Sequence, residues 1–123
     1  MDNDFYTGSE EFKQKAVLVC IQYQDIEKSE AQKHIEELKS LVDTMGAETV
    51  DSVIVPLKKR SPKFFVGSGK ADEITDLAEK YDAELIIFDN ELSPAQQRNF
   101  EELSGKCVID RHEVILDIFA SRA

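Results

Sequence analysis

The sequence predicts an α/β domain of three layers, with a mainly parallel sheet of about four strands and helices on both faces. Three observations predict it. Short apolar, β-branched runs alternate along the chain with longer segments whose apolar residues recur at helical spacing, and strands separated by helices imply parallel pairing through right-handed crossovers. The first run, "AVLVCI" at 16–21, is continuously apolar, as expected of a strand covered on both faces. A chain of 123 residues, 41% hydrophobic and 33% charged, fits one compact globular domain and leaves no room for a second.

The elements follow in order. The acidic segment 1–14 is expected to be flexible, and the domain to occupy 15–123. After the first strand, Ser29 and Gln32 fit a capping box. The helix it opens carries Ala31, Ile35, Leu38, Val42 and Met45 on one face, and Gly46 is its expected stop. "ETVDSVIV" at 48–55 reads as a second strand, ended by Pro56. "FFV" at 64–66 reads as a short strand, after which Gly67 and Gly69 are expected to turn the chain into a helix because glycine permits backbone conformations that a side chain forbids. That helix turns Ile74, Leu77, Ala78 and Tyr81 inward.

"LIIF" at 85–88 is the next strand. Ser93, Pro94 and Gln96 supply an N-cap, an N1 proline and a second capping box. Gly105 closes that helix, and "CVI" at 107–109 is the last strand. "RHEVILDIFASRA" is helical in character, with Val114, Ile115, Ile118 and Phe119 making a broad apolar surface and Leu116 a further face. No Gly, Asn or Pro terminates it before Ala123, a pattern that points to a longer parent. Ile115, Ile118 and Phe119 are therefore candidate interdomain contacts, and a face of that kind favours self-association when unpartnered.

Composition narrows the function. No apolar run approaches the ~20 residues that span a bilayer, and the acidic N-terminus lacks the basic and apolar regions of a signal peptide. Cys20 and Cys107 each lie in an apolar run and read as buried thiols in a reducing cytoplasm. No Cys/His spacing points to zinc. There are no repeats or low-complexity tracts.

"FFVGSGKADEI" at 64–74 invites comparison with a phosphate-binding loop. Such a loop needs a glycine five residues before its Gly-Lys pair and a Ser or Thr after it; those places hold Phe64 and Ala71. Asp72 and Glu73 would also repel a phosphate at the helix N-terminus. The stretch is not a nucleotide loop.

The net charge is −10, which opposes general nucleic-acid binding. The charge is unevenly placed, however. Residues 52–71 hold no Asp or Glu but do hold Lys58, Lys59, Arg60, Lys63 and Lys70, and without these five the rest of the chain carries −15. Together with Phe64 and Phe65, this is a candidate RNA contact, since cations meet phosphates and exposed aromatics stack on unpaired bases. The competing reading is a solvated loop whose phenylalanines turn inward.

Ligands of parallel sheets gather outside the strand carboxyl ends. Here those ends carry Tyr23, then Asp89, Asn90 and Glu91, then Asp110 and Arg111. The carboxylates could hold magnesium, but turn and cap formation is the commoner use of such residues, and no metal site is assigned.

Three blocks, "FFVGSGKADEI", "AELIIFDNELSPAQQRNFEE" and "VIDRHEVILDIFASRA", resemble in order and spacing the N-terminal domain of the HflX family of ribosome-associated GTPases. The resemblance covers roughly Lys15 to Ala123. His112 stands where the family usually has Thr, and Phe100 where Leu is common. The resemblance implies a GTPase domain elsewhere in the parent, holding the GTP and magnesium sites that this chain lacks.

For this chain it implies a non-catalytic, cytoplasmic domain that binds the large ribosomal subunit and its rRNA near the peptidyl-transferase region, within a ribosome-splitting or rescue factor. Lys58, Lys59, Arg60, Lys63, Phe64 and Lys70 are the expected RNA-binding residues, with Arg98 and Asn99 as further candidates. Arg98 and Asn99 lie on the third helix and could cap or bridge to Asp89 and Glu91 as readily as reach RNA. An adenine-nucleotide activity is associated with the family's N-terminal region, although no ATP motif is recognisable here. The alternative is a small nucleotide-binding or hydrolytic domain using Asp89, Glu91 and Asp110 with Lys70. A third is a structural module that docks the GTPase domain through the C-terminal helix. His34 and His112 fall on presumed helices without a paired nucleophile, and His34 is expected to face solvent.

Overall fold

A computed structural model describes residues 13–58 and 61–121. Four strands, β1 (Lys15–Tyr23), β2 (Glu48–Leu57), β3 (Leu85–Phe88) and β4 (Cys107–Asp110), alternate with four helices, α1 (Lys28–Met45), α2 (Ser68–Lys80), α3 (Pro94–Ser104) and α4 (Arg111–Ala120). The strands form one parallel sheet in the order β2-β1-β3-β4. Val19 of β1 lies beside Val53 on one side and Phe88 on the other.

The pleat sends alternate residues of β1 to opposite faces, so a uniformly apolar strand builds two cores at once. Ala16, Leu18 and Cys20 pack with Ala31, Ile35, Leu38 and Val42 of α1 and Val114 of α4. Val17, Val19 and Ile21 pack with Ala71, Ile74 and Ala78 of α2 and Phe100 of α3. Each fully buried Leu, Ile or Val in these layers contributes about 1.5–3 kcal/mol of transfer free energy. The three-layer prediction holds.

Ser93 Oγ accepts from Gln96 N at 3.1 Å, and Gln96 Oε1 accepts from Ser93 N at 2.9 Å, so the second capping box is formed. Gly46 and Gly105 end their helices in the left-handed conformation, at φ 102° and 70°. The first capping box is not formed. Helix α1 begins two residues earlier, with Glu27 as N-cap in place of Ser29, and Gln32 donates instead to Glu36 at 3.2 Å.

Strand β2 runs through Pro56 to Leu57, because an edge strand has one side that makes no ladder bonds and can hold a proline. Cys107 is exposed at the start of β4, whereas Cys20 is buried. Tyr81 is 36% exposed rather than turned inward. It follows α2 as its C-cap, so the helical phase does not carry through to it.

The "FFV" run is not a strand. Ser61 and Phe65 form an isolated antiparallel bridge, and Phe65 has φ +77°. The three residues are apolar because Phe64, Phe65 and Val66 are buried in the α2/α3 core. Gly67 and Gly69 also differ from expectation. Gly67 has φ −62° and ψ 156°, a conformation open to any residue, and a Cβ at either glycine would meet nothing within 4 Å. The chain does turn here, but its left-handed residue is Phe65.

Candidate nucleic-acid interface

The loop between β2 and α2 leaves the sheet at its carboxyl edge, the side on which parallel sheets bind ligands. Of the predicted basic residues, Lys58 and Lys63 are exposed there. Lys59 and Arg60 lie outside the described residues. Lys58 borders an open cleft with Tyr23, Gln24 and Asp25, and Lys63 places its Nζ 5.2 Å from the centre of the Phe64 ring. Lys70, on the first turn of α2, pairs with Glu73 at 3.1 Å.

The aromatic half of the prediction needs correction. Phe64 is 8% exposed and meets Phe100 edge-on at 5.8 Å. Phe65 is 1% exposed, between Phe88 and Tyr23, each 6.3 Å away. Neither ring is presented for stacking on a base. Both anchor the loop, because removing two phenylalanines from water outweighs any local preference of the turn. Asn99 is likewise engaged within the chain, donating to the Lys63 carbonyl at 3.1 Å. Arg98, one residue earlier on α3, is exposed.

Of the carboxyl-end acids, Asp89 and Glu91 border one open cleft with Arg111 and His112, and Asp110 is not among its lining residues. Asp110 is buried, and its two oxygens accept from Leu92 N at 3.0 Å and Glu113 N at 3.1 Å. The second of these bonds caps α4. Asn90 Oδ1 accepts from Ile21 N at 2.9 Å, tying the β3 end to β1. Asp89 accepts from Arg111 Nε at 2.8 Å, and Arg111 also reaches Glu37 at 3.2 Å. Partial burial pulls the Arg111 pKa down, but Asp89 and Glu37 outweigh that and hold it above its usual value. Glu91 is exposed.

His34 Nδ1 stands 3.6 Å from Asp89 Oδ2, so this histidine faces an acid rather than open solvent alone. Cys20, His34 and Asp89 offer ligand atoms within 4.8 Å of one another. The cationic place beside Asp89 is already taken by Arg111, and burial, followed by the Asp89 charge, pushes the Cys20 thiol up to about 11. Arg111 and His34 both meet Asp89, and so link α1, the end of β3 and α4. Sequence reasoning named Asp89 and Arg111 but not their pairing, which spans 22 residues.

On α4, Phe119 is 69% and Leu116 54% exposed. Ile115 is half-buried, and Ile118 packs partly against the α1 layer. Of the three predicted contacts only Phe119 is fully open, and Leu116, expected on a further face, is open beside it. No helix among the described residues is long and apolar enough to cross a membrane.

Comparison with known proteins agrees with this architecture. Residues 32–120 match the family described as GTP-binding GTPase N-terminal. The chain is 42% identical over 113 residues to a GTPase HflX of Akkermansia muciniphila, covering 92% of this chain and 26% of the relative. It is 43% identical over 110 residues to the GTPase HflX of Escherichia coli, covering 89% and 25%. The chain thus spans about a quarter of the length of these relatives. Among solved structures, a complex of SsGBP with GDP superposes with a TM-score of 0.65 at 25% identity, over 89% of this chain and 30% of that one. A GTP-binding protein from Sulfolobus solfataricus, also with GDP, gives 0.64 at 19% identity, over 87% and 30%, a likeness of fold alone.

Proposed function

The chain belongs to the HflX GTPase family as its N-terminal domain, and we propose that its task there is to bind the large ribosomal subunit through rRNA without catalysing a reaction itself. The observation that carries this reading is the basic loop. An acidic body weakens indiscriminate attraction to phosphate, while Lys58 and Lys63 project from a loop anchored by two buried phenylalanines. Lys59 and Arg60 add two charges to the same stretch of sequence.

A ribosome-splitting or rescue role, and a cytoplasmic location, belong to the parent on this reading. GTP and magnesium are its cofactors, held outside this chain. The open α4 face, with Leu116 and Phe119, is the surface through which this domain meets the rest of the parent. Hydrolysis is not expected of the chain, since Phe64 and Ala71 replace two residues a phosphate loop requires. The test is co-sedimentation with purified large and small subunits, beside phosphate release from GTP and ATP. Selective pelleting with large subunits and no release is expected. Equal pelleting with both subunits, or release abolished by Lys70→Ala, contradicts the proposal.

A further inference from the structure

We infer that helix α3 is the positioning element of residues 61–64 of the basic loop, with Gln96 and Asn99 as the residues that fix the shape of that segment. The functional consequence rests on the ribosome-binding reading; the geometry stands without it. Gln96 Nε2 donates to the Ser61 carbonyl at 3.2 Å, and Asn99 Nδ2 donates to the Lys63 carbonyl at 3.1 Å. The two amides are three residues apart, hence neighbours on one helix face. Phe100, next on that face, receives Phe64 edge-on. One side of α3 thus holds three points of residues 61–64.

Gln96 is itself fixed. Its Oε1 accepts from Ser93 N in the capping box, so the carboxamide is engaged at both ends and its donor has a defined direction. The loop needs such a restraint. Its own closure consists of the paired backbone bonds between Ser61 and Phe65, at 2.9 and 3.4 Å, and it includes a phenylalanine in the left-handed region, which opposes closure.

Lys63 lies between these holds, its carbonyl bound by Asn99 and its ammonium over Phe64. Charge alone attracts any polyanion. Charge held in one shape distinguishes a folded RNA surface from an unstructured strand, so Gln96 and Asn99 determine specificity while touching no RNA.

The experiment combines Asn99→Ala with Gln96→Glu in the whole chain. Glutamate keeps the oxygen that caps Ser93 N, as in the usual capping box, and loses the donor to Ser61. Ala95→Glu, at an exposed position on α3, controls for the added charge. Hydrogen exchange at residues 61–66 should accelerate about 2- to 10-fold per hydrogen bond lost, with β1 and β3 unchanged. Affinity for purified large subunits should fall by a similar factor relative to the Ala95→Glu control. Affinity for polyuridylate, and the salt slope of subunit binding, should match that control, because no phosphate-binding cation is removed.

Unchanged exchange at 61–66 overturns the positioning role whether or not subunits bind. Faster exchange with control-like subunit affinity overturns the specificity role. Failure of the unsubstituted chain to bind subunits is a failure of the ribosome reading, and the exchange result still decides the clasp.

Discussion

Phe65 holds φ +77° while its ring lies 6.3 Å from that of Phe88 and inclined to it by 14°. A bulky residue in the left-handed region is strained, and here the strain is offset by burial of the ring at the end of β3. The two effects separate by substitution. Phe65→Ala should cost about 3–5 kcal/mol, since it leaves a cavity and keeps a Cβ at positive φ. Phe65→Gly should be less damaging than alanine by about 1 kcal/mol, because it removes the backbone penalty. Urea denaturation of both variants checks the order; glycine equal to or worse than alanine contradicts it.

Gly67 should not be needed as glycine. It is the N-cap of α2 with an ordinary φ and open space where a Cβ would stand. Gly67→Ser adds a capping oxygen and restricts the unfolded chain, and should stabilise by about 0.5–1 kcal/mol. A rise in urea midpoint at constant slope is the expected result, and a clear loss of stability contradicts the geometry.

Arg111 and Asp89 should be coupled. Asp89 has a side chain 9% exposed, so removing its partner strands a charge. Breaking a fully buried pair costs 3–5 kcal/mol, but Arg111 is 30% exposed, and about 2 kcal/mol is the expectation for Arg111→Met. Adding Asp89→Asn should recover part of the loss, with a coupling of about 1 kcal/mol in a double-mutant cycle. Strict additivity contradicts the pairing.

The two thiols should differ in reactivity. Cys20 is buried with its pKa raised to about 11 by burial and by Asp89, so it holds almost no thiolate near neutral pH. Cys107 is exposed; its pKa is also raised, by burial and by Glu101, though less far. Alkylation of the folded chain at pH 8 should modify Cys107 alone, with Cys20 reacting only after denaturation. Because both shifts disfavour thiolate, the Cys107 rate should continue to rise above pH 9. Equal rates in the folded state contradict the burial difference.

What the sequence revealed depended on the range of the interaction involved. Ser93, Pro94 and Gln96 announced a cap because its partners are three residues apart, and the unbroken apolar run of β1 announced a strand covered on both faces. The same pattern at Ser29 and Gln32 misled because α1 is already helical at Lys28. "FFV" looked like a strand because a short apolar run is equally suited to a buried strand and to loop anchors. Only the packing on Phe88 and Phe100 distinguishes them. The amide bonds from α3 to the basic loop span 35 and 36 residues, and no local pattern encodes them. Lys58 and Lys63 were legible as a surface feature because a charge run without acids is visible in composition alone.

The central claim is that the basic loop meets rRNA phosphates, and the salt dependence of large-subunit binding tests it most directly. Sedimentation across a salt series should give a linear fall of log affinity with log salt. Neutralising Lys58, Lys59, Arg60 and Lys63 together should lower affinity and reduce that slope by about 3, from roughly 0.7–0.9 per phosphate contact. Thermal stability should be nearly unchanged, since single substitutions at exposed positions such as Lys58 and Lys63 stay within about 0.5 kcal/mol each. A variant that binds with the unsubstituted slope would show that the loop is ordinary solvated surface and that the domain meets the ribosome elsewhere.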